Sequence, residues 1–239
     1  MAPQTLGRAL YNARTLGIAF FDLDRTLLSI NSGSAWLLRE LREGRLSLWQ
    51  VARATYYLGC YRLGSTGLAG AVQEAISTLK GTSAAEMRHR AEVFHQRQVR
   101  GFYRPGGLRA LADHKRRGDL VALLTSTMEY LAEPVARDLA LDAVLCNRFE
   151  VDSAGAHTGR TRGGLCYGAG KLEHALAFAG SRGIQLEACV FYTDSIADMP
   201  LLERVGRPVV VNPDPRLRRE AARRGWEVVD WGRPGMAPA

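Results

Sequence analysis

The chain has 239 residues, 46% of them hydrophobic, and carries a formal net charge of +8 at pH 7. This length is enough for one large domain or two smaller ones, and the hydrophobic content predicts a packed core and excludes a disordered chain. The basic charge comes almost entirely from arginines scattered along the chain, which argues against a nucleic-acid partner. A small anionic ligand would explain the basic charge as well as a nucleic acid would.

The cysteines and the apolar runs indicate a cytoplasmic protein. The four cysteines are Cys60, Cys146, Cys166 and Cys189. No two of them share a CxxC spacing, so neither a zinc site nor a redox motif is expected. We expect buried free thiols in a reducing cytosol. No apolar run is long enough for a signal peptide and no stretch of 18 apolar residues occurs, so we expect no transmembrane segment.

The first predicted element, after a low-information tail at 1–16, is a strand over 17–22. It leads into the stretch AFFDLDRTLL at 19–28, in which Asp22 lies where the strand ends and Asp24 follows two residues later. Ligands of open parallel α/β sheets bind at the carboxyl ends of strands. Two crowded carboxylates repel each other unless a cation lies between them, although a polar loop with Asp24 as a helix cap stays open as an alternative.

Residues 31–103 are predicted to be helical throughout. Apolar positions at helical spacing predict helices over 34–42, 46–63, 68–79 and 84–99. The run Leu46–Leu63 is unusually apolar and aromatic, which leaves open a buried helix, a self-association face that would form a homodimer, or a membrane-surface helix. His89 and His95 lie six residues apart, on different helix faces, and are poor candidates for a joint metal site.

The remaining chain alternates strands with helices. Strands are predicted over 119–125, 143–146, 188–193, 208–211 and 226–229, with a hairpin formed by 149–151 and 157–162. Helices are predicted over 108–117, 129–139 and 171–181, and a basic helix follows a turn at 212–215 and runs to 224. This alternation predicts an α/β fold with a doubly wound parallel sheet. The expected division is a core of 17–30 and 104–231, a helical lobe of 31–103 inserted after the first strand, and tails at 1–16 and 232–239.

Polar residues follow several of the predicted strands and could face one crevice. They are Asp22 and Asp24 after the first strand, Thr125 and Ser126 after the second, Lys171 at a helix start, and Asp194 and Asp198 after the third clear strand. Carboxylates without nearby His or Cys predict a hard cation, above all Mg²⁺. A hydroxyl and a lysine beside it suit a phosphoryl group, on which a carboxylate is a competent nucleophile.

Two other ion and phosphate motifs are excluded. The spacing of Asp22 and Asp24 fits the start of an EF-hand, but no Gly stands at the sixth loop position and no Glu at the twelfth. No GxxxxGK[ST] motif occurs, and Gly168-Ala-Gly170-Lys171 lacks the following Ser or Thr.

Four motifs in order resemble those of the haloacid dehalogenase (HAD) superfamily of hydrolases over residues 17–230. DxDxT matches Asp22–Thr26, the hydroxyl after a buried strand matches Thr125, the lysine matches Lys171, and DxxxD matches Asp194–Asp198. The sequence is most similar to subfamily IB, which contains phosphoserine phosphatase and histidinol-phosphatase-like enzymes.

The resemblance implies a role for each matching residue. Asp22 would be the nucleophile and a Mg²⁺ ligand, and Asp24 would be the general acid/base and ligate Mg²⁺ through its backbone carbonyl. Asp194 would complete the metal shell, with Asp198 beside it. Thr125 and Lys171, with Ser126 as a neighbour, would bind the phosphoryl group, and the helical insert would be a C1-type cap.

Three departures concern the substrate rather than the metal or the nucleophile. Phosphoserine phosphatases carry a Glu nine residues after the nucleophile, which reads the substrate amine, and Asn31 stands there in this sequence. The Gly-Gly after the second motif and the Asn at position 197 are also missing. Asn31 is therefore a candidate for substrate selection.

These motifs predict a Mg²⁺-dependent phosphatase that hydrolyses a small phosphomonoester through an aspartyl-phosphate. A phosphotransferase of the same fold needs the same acids, and the sequence does not separate it from a hydrolase. A non-catalytic protein that binds anions or nucleic acid is the remaining alternative, and the intact acids argue against it.

Overall fold

The computed structural model describes residues 17–49, 52, 56 and 76–234. Six parallel strands form one sheet in the order β3-β2-β1-β6-β7-β8. Their bounds are β1 Ile18–Phe21, β2 Leu120–Met128, β3 Ala143–Asn147, β6 Val190–Thr193, β7 Arg207–Val211 and β8 Glu227–Val229. The antiparallel hairpin consists of β4 Phe149–Val151 and β5 His157–Thr161. The predicted parallel α/β sheet is confirmed.

Strand β1 lies near the middle of the sheet and carries the strongest apolar run. All four of its residues are buried, and Phe21 pairs with Leu123 of β2 on one side and Tyr192 of β6 on the other. A strand covered on both faces needs apolar residues at every position, which explains why the sequence does not alternate here. The chain order reverses between β1 and β6, and ligands of such sheets bind at this switch point.

Helices cover both faces of the sheet. Leu111 and Val135 belong to the hydrophobic cluster on one face, and Ala175 and Leu217 to the cluster on the other. The helices that contribute them are α3 Pro105–Arg117, α4 Glu129–Asp138, α5 Ala169–Gly180 and α7 Pro215–Arg224, and the short helix α6 Met199–Leu202 packs with the second cluster. The doubly wound arrangement is therefore confirmed.

The described part of 31–103 contains helix α1 Ser32–Arg42 and helix α2 Ala84–Phe94, which continues through tighter and wider turns to Phe102. Trp36 of α1 packs edge-on against Phe94 of α2, with ring centroids 5.3 Å apart. Arg90 Nη1 lies 2.6 Å from the buried Glu40 Oε2, which ties the two helices together.

Much of the predicted apolar run Leu46–Leu63 lies outside the described residues. Three of its described side chains, Leu48, Trp49 and Tyr56, are exposed, so burial within this chain is wrong at these positions. Residues 68–75 of the next predicted helix, the tail at 1–16 and residues 235–239 also lie outside. No helix among the described residues is long and apolar enough to cross a membrane.

Strand β2 differs from its predicted bounds. We expected it to end at Thr125, but it continues to Met128 through a register shift against β3 between Leu124 and Met128. Thr125 and Ser126 therefore lie within the strand rather than after it. Helix α3 also begins three residues earlier than predicted, because Pro105 suits the first turn of a helix. It ends at Arg117 as predicted, and Gly118 follows it with φ 81°.

Candidate active site

One cleft at the carboxyl edge of the sheet collects all eight predicted site residues. Its empty volume is about 480 Å³. The lining residues are Asp22, Asp24, Arg25, Asn31, Thr125, Ser126, Thr127, Tyr167, Lys171, Asp194, Ser195, Ala197 and Asp198. The structure thus brings together polar groups that are spread over 177 positions of the sequence, from 22 to 198.

Asp22 follows β1 and is almost completely buried. Its backbone N–H donates to Tyr192 O at 2.9 Å, which continues the sheet pairing and fixes where the side chain starts. The pKa of the Asp22 carboxyl is raised to about 6, because burial, with the charges of Asp198 and Asp24, outweighs the lowering by Lys171. The ammonium of Lys171 is therefore the main group that stabilises an ionised Asp22 at the end of this apolar strand.

Lys171 stands in the first turn of α5 with its ammonium buried among carboxylates. Lys171 Nζ lies 2.8 Å from Asp22 Oδ1 and 2.8 Å from Asp198 Oδ2. Burial alone would lower the pKa of Lys171, but the two carboxylates outweigh it and raise the pKa well above its usual value. Lys171 is therefore a permanent cation between two acids.

The loop before Lys171 needs glycine at two positions. Gly168 has φ 53° and ψ −120°, a conformation that glycine adopts readily. A Cβ on Gly170 would lie 1.9 Å from Leu165 O, so only glycine lets the backbone pass this close. The glycines position the start of α5, and with it Lys171.

Asp24 is half-buried, and its carboxylate accepts hydrogen bonds from Ser32, Asn31 and Thr127. Oδ1 accepts from Ser32 N at 2.7 Å, and Oδ2 accepts from Asn31 Nδ2 at 3.1 Å and Thr127 Oγ1 at 3.0 Å. The turn at 23–27 and the start of α1 hold this carboxylate beside the cleft, two residues from Asp22. The orientation of Asp24 is thus set by the protein before any ligand arrives.

Asn31 has a structural role in addition to its place in the cleft. Its Oδ1 accepts from Ser34 N at 2.8 Å, which caps the N-terminus of α1, while its Nδ2 donates to Asp24. Both ends of the amide are engaged. Substrate selection by Asn31 remains a prediction.

The two acids after β6 differ in their surroundings. Asp198 accepts from Lys171 Nζ and from Thr193 Oγ1 at 2.6 Å, so its charge is well compensated. Asp194 Oδ1 is 3.5 Å from Thr26 Oγ1. Burial and the charges of Asp22 and Asp198 together raise the pKa of Asp194 to about 8, against the opposing charges of Lys171 and Arg25. Asp194 is the acid of the cleft that most needs a cation.

Thr125 and Ser126 line the cleft from within β2. Thr125 is buried and its Oγ1 accepts from Thr127 N at 3.2 Å, and Ser126 O accepts from Asn147 Nδ2 at 2.6 Å. These bonds stabilise the bulged end of β2, so that the backbone of 125–127 runs along the cleft.

Sequence reasoning missed several contributors to the site. Thr127 directly follows the predicted residues Thr125 and Ser126 in the sequence. Asp214 precedes a Pro at a helix start, which is a visible capping signal. Asp214 N donates to Asp194 O at 2.9 Å and Asp214 Oδ2 accepts from Ile196 N at 2.8 Å, which holds the 194–198 loop. Arg25 and Tyr167 had no sequence signal.

The donors present suit a hard cation. Within the described part of the chain, no three His, Cys, Asp or Glu side chains are already grouped to hold a metal ion. The side chains of Asp22 and Asp194 with the Asp24 carbonyl offer oxygen only, the donor type that Mg²⁺ takes in proteins. The described cysteines, Cys146, Cys166 and Cys189, are free and buried as expected, and Cys60 lies outside the described residues.

Comparison with known proteins decides the family. A family model described as haloacid dehalogenase-like hydrolase matches residues 19–203. The chain belongs to this family. Its relatives place it in the phosphatase branch, as the four motifs implied.

Two relatives and one solved structure show the extent of the similarity. A probable phosphatase from Mycobacterium tuberculosis (strain H37Rv) is 32% identical over 97% of this chain and 80% of its own. Phosphoserine phosphatase SerB1 of the same organism is 33% identical over 89% of this chain and 70% of its own. A protein of unknown function from Bordetella pertussis Tohama I has a TM-score of 0.81 at 30% identity, covering 91% of this chain and 100% of that one.

Proposed function

We propose that this phosphatase is Mg²⁺-dependent and hydrolyses a small phosphomonoester through an aspartyl-phosphate on Asp22. The observation that carries the proposal is the buried pair of Asp22 and Lys171, 2.8 Å apart at the end of the central strand. A lysine that keeps a buried carboxylate ionised is what a carboxylate nucleophile requires.

Asp22 would attack the phosphorus atom of the ester. The new bond joins an Asp22 carboxylate oxygen to phosphorus while the bond from phosphorus to the alcohol oxygen breaks. Asp24 would donate its proton to that leaving oxygen, because a general acid within reach of a leaving alkoxide lowers the barrier to its departure.

Hydrolysis of the aspartyl-phosphate would use Asp24 in the opposite sense. Asp24, now a carboxylate, would take a proton from a water molecule that attacks phosphorus, and the bond from phosphorus to Asp22 would break. Inorganic phosphate leaves, and Asp22 and Asp24 return to their starting protonation states.

Lys171, Thr125 and Ser126 would bind the phosphoryl group. The charge of a phosphoryl group in transfer lies on its three equatorial oxygens, which favour cations and donors around them. Lys171 borders the cleft beside the nucleophile, and Thr125 and Ser126 line it from β2.

Asp22, Asp194 and the Asp24 carbonyl would hold Mg²⁺, with Asp198 beside them. The raised pKa of Asp194, caused by burial and by the charges of Asp22 and Asp198, supports a cation at this position. When bound, Mg²⁺ would neutralise negative charge on the phosphoryl oxygens.

We also propose that residues 31–103 act as a cap over the cleft. Support comes from Asn31 and Ser32, which begin this segment and both bond to the Asp24 carboxylate. A segment attached directly to the acid/base residue is well placed to select the leaving group. A homodimer through this segment stays a prediction.

A phosphate-release screen over a panel of phosphomonoesters, with Mg²⁺ and with chelator, tests the proposal. We expect release that needs Mg²⁺ and is abolished by Asp22→Asn. Asp113→Asn is the matched control, since Asp113 is a half-exposed acid of α3 that pairs with Arg116. Added alcohols that capture the phosphoryl group would identify a phosphotransferase. Unchanged release in chelator or in Asp22→Asn would show that the mechanism is wrong.

A further inference from the structure

Arg25 lies at the cleft in a backbone conformation that an arginine rarely adopts. Its φ is 64° and ψ −5°, and only Ala140 and Asn212 share a positive φ among the described non-glycine residues. A left-handed conformation disfavours any side chain with a Cβ, and glycine would adopt it without strain. Residues held in such conformations cluster at functional sites.

The surrounding structure holds Arg25 in this conformation from both sides. Arg25 N donates to Ile30 O at 3.0 Å, which closes the turn over 25–30. Arg25 O accepts from Nε of the buried Arg104 at 3.2 Å. The turn therefore fixes where the Arg25 side chain leaves the backbone, and this side chain lines the cleft.

The charges of the cleft leave Arg25 as an available cation. Lys171 is 2% exposed and engaged by two carboxylates. Arg25 is exposed, and its charge acts on Asp194 without a hydrogen bond or ion pair between its guanidinium and any described residue. A guanidinium presents paired donors that match the two oxygens of a carboxylate or phosphate. The rim of the cleft thus offers a binding group for an anion.

The other rim residue that sequence reasoning linked to selection does not offer a charge. Asn31 is neutral, and both ends of its amide are engaged, with Ser34 N and with Asp24. Asn31 supplies no carboxylate for a substrate ammonium, and the carboxylate beside it, Asp24, already accepts hydrogen bonds from Ser32, Asn31 and Thr127. An anionic group would find the guanidinium of Arg25. Both residues line the same cleft as Asp22.

We propose that Arg25 is a specificity-determining residue that binds an anionic group on the leaving alcohol. The preferred substrates are then phosphomonoesters whose alcohol carries a carboxylate or a second phosphate. This inference rests on the proposed phosphatase function of the same cleft and adds the substrate class.

A series of two-carbon esters tests the inference. The probes are 2-hydroxyethyl phosphate, which has a neutral tail, phosphoglycolate, which has a carboxylate, ethylene glycol bisphosphate, which has a second phosphate, and phosphoethanolamine, which has an ammonium. We expect kcat/KM to be highest for one or both anionic tails and lowest for the ammonium. The comparison of carboxylate with phosphate identifies which oxyanion Arg25 binds.

The variants are Arg25→Asn and Arg25→Lys, since asparagine tolerates the left-handed conformation and lysine keeps the charge. For Arg25→Asn we expect the ratio of kcat/KM for the better anionic ester to that for the neutral ester to fall at least about tenfold, or about 1.4 kcal/mol. The change should appear in KM, because binding of the tail is lost. Arg25→Lys should recover part of the ratio.

Two further variants separate selection from folding and from overall charge. Arg25→Gly should melt at or above the temperature of the wild type while losing the same selectivity, because it removes the strain. Arg218→Gln removes an exposed positive charge on α7, away from the cleft lining, and should leave the ratio unchanged.

The outcomes distinguish this inference from the proposed function. Suppose that the wild type hydrolyses the esters with Mg²⁺, and that Arg25→Asn leaves the ratio within twofold or lowers kcat/KM equally for the anionic and the neutral ester. Arg25 then does not select the substrate, and only this inference is wrong. A wild type that prefers the neutral or ammonium ester also overturns it. If the wild type releases phosphate from none of the probes, nor from p-nitrophenyl phosphate, the proposed function fails as well.

Discussion

Lys171 Nζ lies 2.8 Å from Asp22 Oδ1, so that the ammonium in the first turn of α5 neutralises the acid at the end of β1. Both side chains are buried, and the same nitrogen also contacts Asp198. Removing one partner of such a buried ion pair costs far more folding stability than the intact pair contributes.

Replacing Lys171 should therefore damage both stability and catalysis. In Lys171→Met, two carboxylates remain buried without their cation, and we expect the free energy of unfolding to fall by about 3 kcal/mol, measured with urea in chelator. Phosphate release should be lost. Lys80→Met, at an exposed lysine, is the control, and equal stability of the two variants would contradict the assigned role of the pair.

The raised pKa values of Asp22 and Asp194 predict how metal-free stability depends on pH. Burial raises the pKa of Asp22 to about 6 and that of Asp194 to about 8, so the folded state holds protons that the unfolded chain has released. Their contribution to stability is greatest below about pH 4, the ordinary pKa of an Asp, and is lost as the pH rises to 8.

Mg²⁺ should act in the opposite direction, because it favours the ionised carboxylates. We expect the rise in Tm caused by Mg²⁺ to be larger at pH 8 than at pH 5.5, measured by thermal unfolding with Mg²⁺ and with chelator. In Asp194→Asn the Mg²⁺ effect should shrink and the metal-free Tm at pH 8 should increase. A Mg²⁺ effect that is the same in both proteins would show that Asp194 is not a ligand.

Thr127 is expected to act on catalysis by positioning Asp24. Its Oγ1 donates to Asp24 Oδ2 at 3.0 Å, and a hydrogen bond to a charged group contributes about 1.5 kcal/mol or more. We expect Thr127→Val to lower kcat about tenfold with a smaller change in KM. Thr127→Ser keeps the hydroxyl donor and should have a kcat close to that of the wild type. Equal kcat in the Val and Ser variants would refute this role.

The close approach of the Gly170 and Leu165 backbones should be as important for activity as the charge of Lys171, which this approach positions. A Cβ there would meet Leu165 O at 1.9 Å, so Gly170→Ala must shift the start of α5 and with it Lys171. We expect a loss of about 1–3 kcal/mol of stability and a marked fall in activity. Gly164→Ala, where a Cβ meets nothing within 4 Å, is the control in the same loop and should match the wild type.

Much of the sheet and the cleft could be predicted from the sequence because the signals are local. Apolar runs that end in acids located β1 and β6, and both Asp22 and Asp194 lie where expected. The end of β2 was wrong, because the bulge that carries the strand on to Met128 depends on pairing with β3, which no local pattern shows.

The partners within the site depend on contacts that sequence spacing does not reveal. That Lys171 contacts Asp198 as well as Asp22, and that Asp214 holds the loop after β6, follows from the packing of distant segments. Arg25 had no signal at all, because an unusual φ is a property of the folded turn.

Trapping the phosphoryl group on the enzyme tests the central claim most directly. The wild type is mixed with a phosphomonoester that it hydrolyses and Mg²⁺, quenched in acid, digested and analysed by mass spectrometry. We predict one added phosphoryl group on the peptide that contains Asp22, absent without substrate and absent in Asp22→Asn. Phosphate release by Asp22→Asn at the rate of the wild type, or a phosphoryl group on a different residue, would contradict the proposed mechanism.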